Sequence, residues 1–296
     1  MRNLLSANFA RLRRSRLFWF LEAGVFLWGV FAYYMLKINL RNGYAFDNGN
    51  TYLFNQMTFI GITTACFSGF FIGTEYSDGT MRNKLSVGHS RIHVYLANLI
   101  TVFFVAIAQF VVYILASFTA GTLLVGDFVW SKLYRPVETI AISLLSLITS
   151  SVIAVLISMV IIEKSKAVLL NVLLSMLLLI VGASALKGVM QPEMVKRMYF
   201  PETKQYKYIY TESISEILDD ASIVIEEVSN PKYLRGAERK LYECVSAILP
   251  TAQALSCGID AHNFIRFSAF HVLGTLMVGL ILTSGGILVF QRIDLK

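Results

Sequence analysis

The fold class this sequence predicts is an all-α integral membrane protein with six transmembrane helices. Of its 296 residues 56% are hydrophobic and 15% charged, with a mean hydropathy of +0.62; soluble domains sit nearer 45–50% and 25%. The apolar residues fall into runs of about 20, each long enough to cross about 30 Å of hydrocarbon as a helix. In lipid every backbone amide must be satisfied internally, which leaves helices or closed barrels, and unbroken apolar runs exclude the alternating strands of a barrel.

Residues 1–16 carry Arg2, Arg11, Arg13, Arg14 and Arg16 beside Leu5, Phe9 and Leu12 at helical spacing. This pattern predicts an amphipathic N-terminal helix lying in the membrane interface. The basic start resembles a signal peptide but lacks a small-residue cleavage site, so the run at 17–36 reads as an uncleaved first span. Glu22 in its inner half is costly in lipid and is expected to face protein or water, which makes it a candidate polar residue for a transport pathway. The second span, 56–74, repeats small residues every four positions: Gly61, Ala65, Gly69 and Gly73. That spacing lets two helix backbones approach closely, so these are assigned to helix packing.

A polar island at 75–91 separates the second and third spans. Ser77 or Asp78 can cap a short helix there, and Gly88 suits its end. Met81 and Leu85 would share one face with Arg82 and Lys84 turned away. A two-turn helix does not persist alone in water and needs a surface to lie on. Ser90 can cap the third span, 92–115 or as far as 125, in which Asn98 and Gln109 read as interhelical hydrogen-bond partners. An outer turn, 126–138, holds Trp130 and Tyr134. A fourth span (139–162), a tight Glu163-Lys164-Ser165-Lys166 turn and a fifth span (167–186) form a hairpin.

The 187–263 segment is long and polar. Ser213 and Glu216 form a capping box ahead of Ile214, Ile217, Leu218, Ala221, Ile225 and Val228. After Asn230-Pro231 comes a second stripe of Leu234, Ala237, Leu241, Val245 and Ile248, so an external helical hairpin is expected, with 251–257 able to dip back toward the membrane. Cys244 and Cys257 are candidates for a disulfide, which over so short a loop would add about 3 kcal/mol. The sixth span, 264–290, precedes a short tail. The organisation expected is thus 1–186 with the interfacial helix, five spans and the 75–92 loop, 187–263 as an external insert, and 264–296 as the last span and tail.

Lysines and arginines set the orientation. The segments inside, if the N-terminus is inside, hold twelve of them, against four in the short outer loops. Both termini are therefore expected in the cytoplasm. The net charge of +7 concerns this orientation and the anionic membrane surface rather than nucleic acid. No GxxxxGK[ST] phosphate loop, HExxH, GxSxG or paired Cys–His spacing occurs, so no catalytic, cofactor-binding or metal-binding residue is assigned.

The loop residues Glu75-x-x-x-Gly79-Thr80, Asn83-x-Leu85 and Gly88-x-Ser90-Arg91 resemble the first cytoplasmic loop of bacterial ABC-2 type permeases. The Leu249-Pro250-Thr251-Ala252-Gln253 stretch and the Asp294-Leu295-Lys296 ending are similar to that group as well, including its antimicrobial-peptide and lantibiotic-type members. The resemblance implies a transport subunit of an ATP-driven exporter in the plasma membrane. The short helix after Asp78 would couple it to a separate ATPase dimer, which binds ATP and Mg, and a second permease copy or paralogue would complete the transporter. Glu75, Asp78, Gly79, Thr80, Met81, Arg82, Leu85 and Arg91 are the contact residues it implies; peptides or other amphipathic antimicrobial compounds are the expected cargo. Two further readings stay open: a sensor of extracellular peptide using the insert, and an intramembrane enzyme using Glu22 or His271.

Overall fold

The computed structural model describes residues 1–43, 53–54, 57–126, 136–200, 205–209, 224–258 and 269–294. Helix α1 (Arg2–Arg14) is separated by Ser15 from α2 (Arg16–Arg41), and the Ser15 hydroxyl accepts the Phe18 amide to start the second helix. There follow α3 (Met57–Ser77), the short α4 (Thr80–Ser86), α5 (Arg91–Leu124), α6 (Pro136–Val160) and α7 (Lys164–Val189). Then come strands β1 (Met194–Phe200), β2 (Gln205–Ile209) and β3 (Val224–Ser229), and helices α8 (Gly236–Ile248), α9 (Pro250–Gly258) and α10 (Ala269–Arg292).

Among the described residues, α2, α5, α6, α7 and the Val272–Arg292 part of α10 are long and apolar enough to cross a membrane. The chain is accordingly a helical, multi-pass membrane protein. The 21-residue α3 is the sixth long helix. Its apolar run is diluted by threonines, serines, glycines and Glu75, and it sits in the middle of the bundle, packed on α5, α6 and α7.

Helix α3 reaches this position through its small residues. A Cβ on Gly69 would lie 2.8 Å from the Val168 Cα, and one on Gly73 would lie 2.9 Å from the Lys164 Cα, so α3 and α7 touch backbone to backbone. Ala65 is buried, and Gly61 faces Ser150 on α6. Polar side chains then bridge the helices. Thr63 and Thr64 donate to the Gln109 carbonyl oxygen of α5 at 2.9 and 3.2 Å, Ser68 pairs with Ser158 at 3.0 Å, and Asn171 donates to Ser158 at 2.8 Å. In hydrocarbon such pairs remove the desolvation cost of groups that would otherwise lack partners.

The 187–263 segment departs from the expected pair of helices. Residues 213–223, including the capping box, lie outside the described residues, but Val224–Ser229 is a strand. It pairs antiparallel with β1, whose other edge takes β2, so that Arg197 stands opposite Glu226 and the two form an ion pair at 2.7 Å. The β-branched Val224, Ile225 and Val228 suit a strand as well as a helical stripe, and the open backbone edge of β1 decides the matter. The second expected helix is present as α8. Its packed side holds Tyr242, Ser246 and Ala247, with Tyr242 and Leu234 seated on Gly188 of α7, whereas Leu241 is exposed. Helix α9 packs into the bundle against α6 and α7: Ser146 donates to the Pro250 carbonyl at 2.7 Å, and Thr251 donates to the Leu178 carbonyl at 2.6 Å. Cys244 and Cys257 are free thiols, the first exposed on α8 and the second buried against Ser143 and Thr139.

Candidate functional site: the loop after α3 and its buried carboxylate

The last turn of α3 carries Glu75, and the chain then reverses at Gly79. A φ of +69° there is tolerated by glycine, and Gly79, rather than Ser77 or Asp78, occupies the N-cap position of α4. The Thr80 hydroxyl donates to the Glu75 carbonyl at 3.2 Å, fixing this turn. Seven residues later the chain leaves α4 through Val87 and Gly88, the latter at φ +93°. Ser90 then caps α5 by accepting the His93 amide.

Glu75 is fully buried, and its carboxylate organises everything around it. Arg11 of α1 donates to Oε1 at 2.8 Å, the Lys84 ammonium of α4 donates to the same oxygen, and Asn98 of α5 donates to Oε2 at 3.2 Å. Asn8 closes the ring, donating to the Asn98 oxygen at 2.8 Å and accepting from Lys84 at 3.0 Å. Arg11 also donates to the Phe71 carbonyl, with its guanidinium 3.5 Å above the Phe71 ring. Burial pushes the Lys84 ammonium and the Arg11 guanidinium below their ordinary pKa values, while the Glu75 carboxylate opposes the shift in both. One carboxylate thereby joins four helices.

The apolar face of α4 is turned toward this node. Met81 is 1% exposed and belongs to the same buried cluster as Leu4, Leu12, Phe71 and Val94, with Leu85 packed against it. Glu75 and Met81, two of the contact residues expected from the sequence, are covered by the chain itself. The apolar face of the short helix rests on the chain's own buried cluster, to which α1, α3 and α5 contribute. Met81→Asp would consequently act on folding and is no test of docking. What α4 presents outward is Asp78, Arg82, Asn83, Ser86 and above all Val87, 79% exposed. Gly79 and Thr80 are half-buried in the turn. Arg91 is engaged elsewhere, donating at 2.7 Å to the Phe290 and Ile293 carbonyls at the end of α10, the usual use of a cation at a helix C-terminus. Tyr76 donates to the Met159 carbonyl of α6 at 2.6 Å. The loop is thus tied to α1, α3, α5, α6 and, through Arg91, to α10.

Glu22 faces the protein interior, 6% exposed, and neither carboxylate oxygen has a hydrogen-bond partner among the described residues. His271 belongs to α10, but its side chain lies outside the described residues. No group of three metal-ligating side chains occurs among the described residues.

The family model described as "ABC-2 family transporter protein" matches residues 4–183, from α1 through most of α7. No curated protein matches the chain.

Proposed function

This chain belongs to the ABC-2 family of transporter proteins and so is the transmembrane component of an ABC transporter of the bacterial plasma membrane, a family that works with a separate ATPase; we propose that the outward side of α4 is where that ATPase docks. The observation that carries this reading is the asymmetry of α4. Its inner side is held by the Glu75 ring, and its outer side exposes Arg82 and Val87. A push on the outer side moves α3 and α5 together, because a carboxylate clamped by two cations and an amide has little freedom to yield. Six spans are the reading the apolar runs support, with the 21-residue α3 as the second, and the excess of arginine and lysine supports placing the end bearing α1 and α4 in the cytoplasm. ATP and Mg belong to the ATPase dimer, and a second permease, a copy or a paralogue, faces this one. Outward movement of peptides or other amphipathic antimicrobial compounds is the transport assigned, supported by the insert between α7 and α10 as a place for an amphipathic chain to be handled.

Val87→Asp and Arg82→Glu test the docking assignment. Both sites are exposed, so stability should change by no more than about 0.5 kcal/mol. Loss of a central apolar or arginine contact in an interface weakens binding by about 2 kcal/mol or more, roughly thirtyfold. Affinity purification of the tagged permease should recover the ATPase with wild type and not with either variant. Full recovery with both variants would remove α4 as the docking element.

A further inference from the structure

A cavity of about 310 Å³ opens between α1, α3 and the start of α7. Its floor is aromatic (Phe67 and Phe70 among others), and its rim carries Arg11, Arg14 and Lys164, with the Thr74 hydroxyl beside them. The rim cations are not equivalent. Arg11 is matched by Glu75, yet its buried Nε has no acceptor among the described residues. Arg14 and Lys164 have no acidic partner among the described residues, since neighbouring Glu163 is paired with Lys166 at 2.6 Å. The Lys164 stem lies over Gly73, which sets its ammonium 5.4 Å from the Phe70 ring, at the edge of the cavity.

We infer that this groove is a binding site for an anionic phospholipid, its phosphate held by Arg14 and Lys164 and its acyl chains leaving along Leu17 and Phe70. The juxtaposition selects the ligand. A soluble phosphate would satisfy the rim and leave Leu17 and Phe70 uncovered, and a neutral lipid would leave two cations uncompensated. The amphipathic α1 carries the groove at headgroup depth, where anionic lipid is met. The inference rests on the orientation proposed above, which puts this end in the cytoplasmic leaflet. A lipid here would brace α1 against α3 and α7 beside the Glu75 ring.

The full-length protein in neutral detergent is titrated with phosphatidylglycerol, phosphatidylcholine or soluble glycerol phosphate, and its melting temperature is followed. Wild type should be stabilised by phosphatidylglycerol alone. Each cation near an anionic lipid surface contributes roughly fivefold in affinity, so Arg14→Gln with Lys164→Gln should need about thirtyfold more lipid, and Lys164→Arg should bind as wild type does. Should the double variant not fold, the single Arg14→Gln, at an exposed position, should still show its fivefold loss. Equal stabilisation of wild type and variants by phosphatidylglycerol would overturn the site, and equal stabilisation by glycerol phosphate would make it a site for free anions instead. Orientation is read separately. Because Cys244 is an exposed thiol on the opposite side in this orientation, Arg14→Cys is placed in a Cys244→Ser background and should react with an impermeant maleimide only in inverted vesicles; reaction in right-side-out vesicles would refute the orientation without altering the detergent titration.

Discussion

Replacing Glu75 with leucine should destabilise the protein by about 3–5 kcal/mol, the usual result of leaving one side of a buried ion pair without its partner. Here the side left behind is double. Arg11 and Lys84 would face one another across the emptied site, with Asn98 deprived of its acceptor. The lower part of that range applies, because the Arg11 side chain is about a third exposed and recovers some hydration. Glu75→Gln should cost less, since its amide oxygen can still accept from one cation. Removing the second charge should give part of the loss back: Glu75→Leu combined with Lys84→Met, which leaves one cation rather than two, is expected to melt above Glu75→Leu alone. Melting temperatures of the detergent-purified variants, read as a double-mutant cycle, measure the coupling. Additive losses at positions 75 and 84 would show that the ion pair does not hold the loop to the bundle.

Gly69→Leu should be nearly as damaging. The nearest atoms to an added Cβ are the Val168 Cα and amide nitrogen, at 2.8 and 3.0 Å. Backbone does not step aside as a side-chain tip does, so α7 must move off α3. Overpacking of this kind costs about 1–3 kcal/mol and occasionally more, and here the displacement also strains the Ser68–Ser158 and Asn171–Ser158 hydrogen bonds beside it. Gly69→Ala should produce a smaller loss of the same sign. Gly24→Ala is the matched control: nothing lies within 4 Å of its added Cβ, and alanine is the better helix former. A Gly69→Leu protein as stable as wild type would mean that close backbone approach between α3 and α7 is not what positions α3.

The helices of this fold are legible in the sequence because length and apolarity suffice to define them in lipid. The Ser90 cap and the small-residue line of α3 are legible for a similar reason, each being a local pattern with a local cause. What is not legible is contact between distant segments. The Glu75 ring joins Asn8 to Asn98, ninety positions apart, and no spacing rule connects them. A partial signal exists in α1, where Asn8 lies on the same i, i+4 line as Leu4 and Leu12, a polar residue on the side the helix buries. Met81 and Leu85 share one apolar face, which their spacing predicts, but spacing does not say whether such a face meets another protein or its own bundle. Burial of Glu75 makes the choice, by drawing Lys84 and with it the whole of α4 inward. The small sheet escaped for another reason: Gln205-Tyr206-Lys207-Tyr208-Ile209 does alternate with period two, but over five residues in a charged segment, where the longer helical stripes on either side dominate the pattern.

In the docking proposed above, α4 is a mechanical joint with its apolar side fixed inward and its outer side given to the ATPase. Site-specific photo-crosslinking in the assembled transporter tests this most directly. A photoreactive residue at position 82 or 87 should form an adduct with the ATPase, while one at Leu123, exposed at the far end of α5, should form none. Absence of ATPase adducts at both 82 and 87, or adducts at 123, would rule out docking through α4.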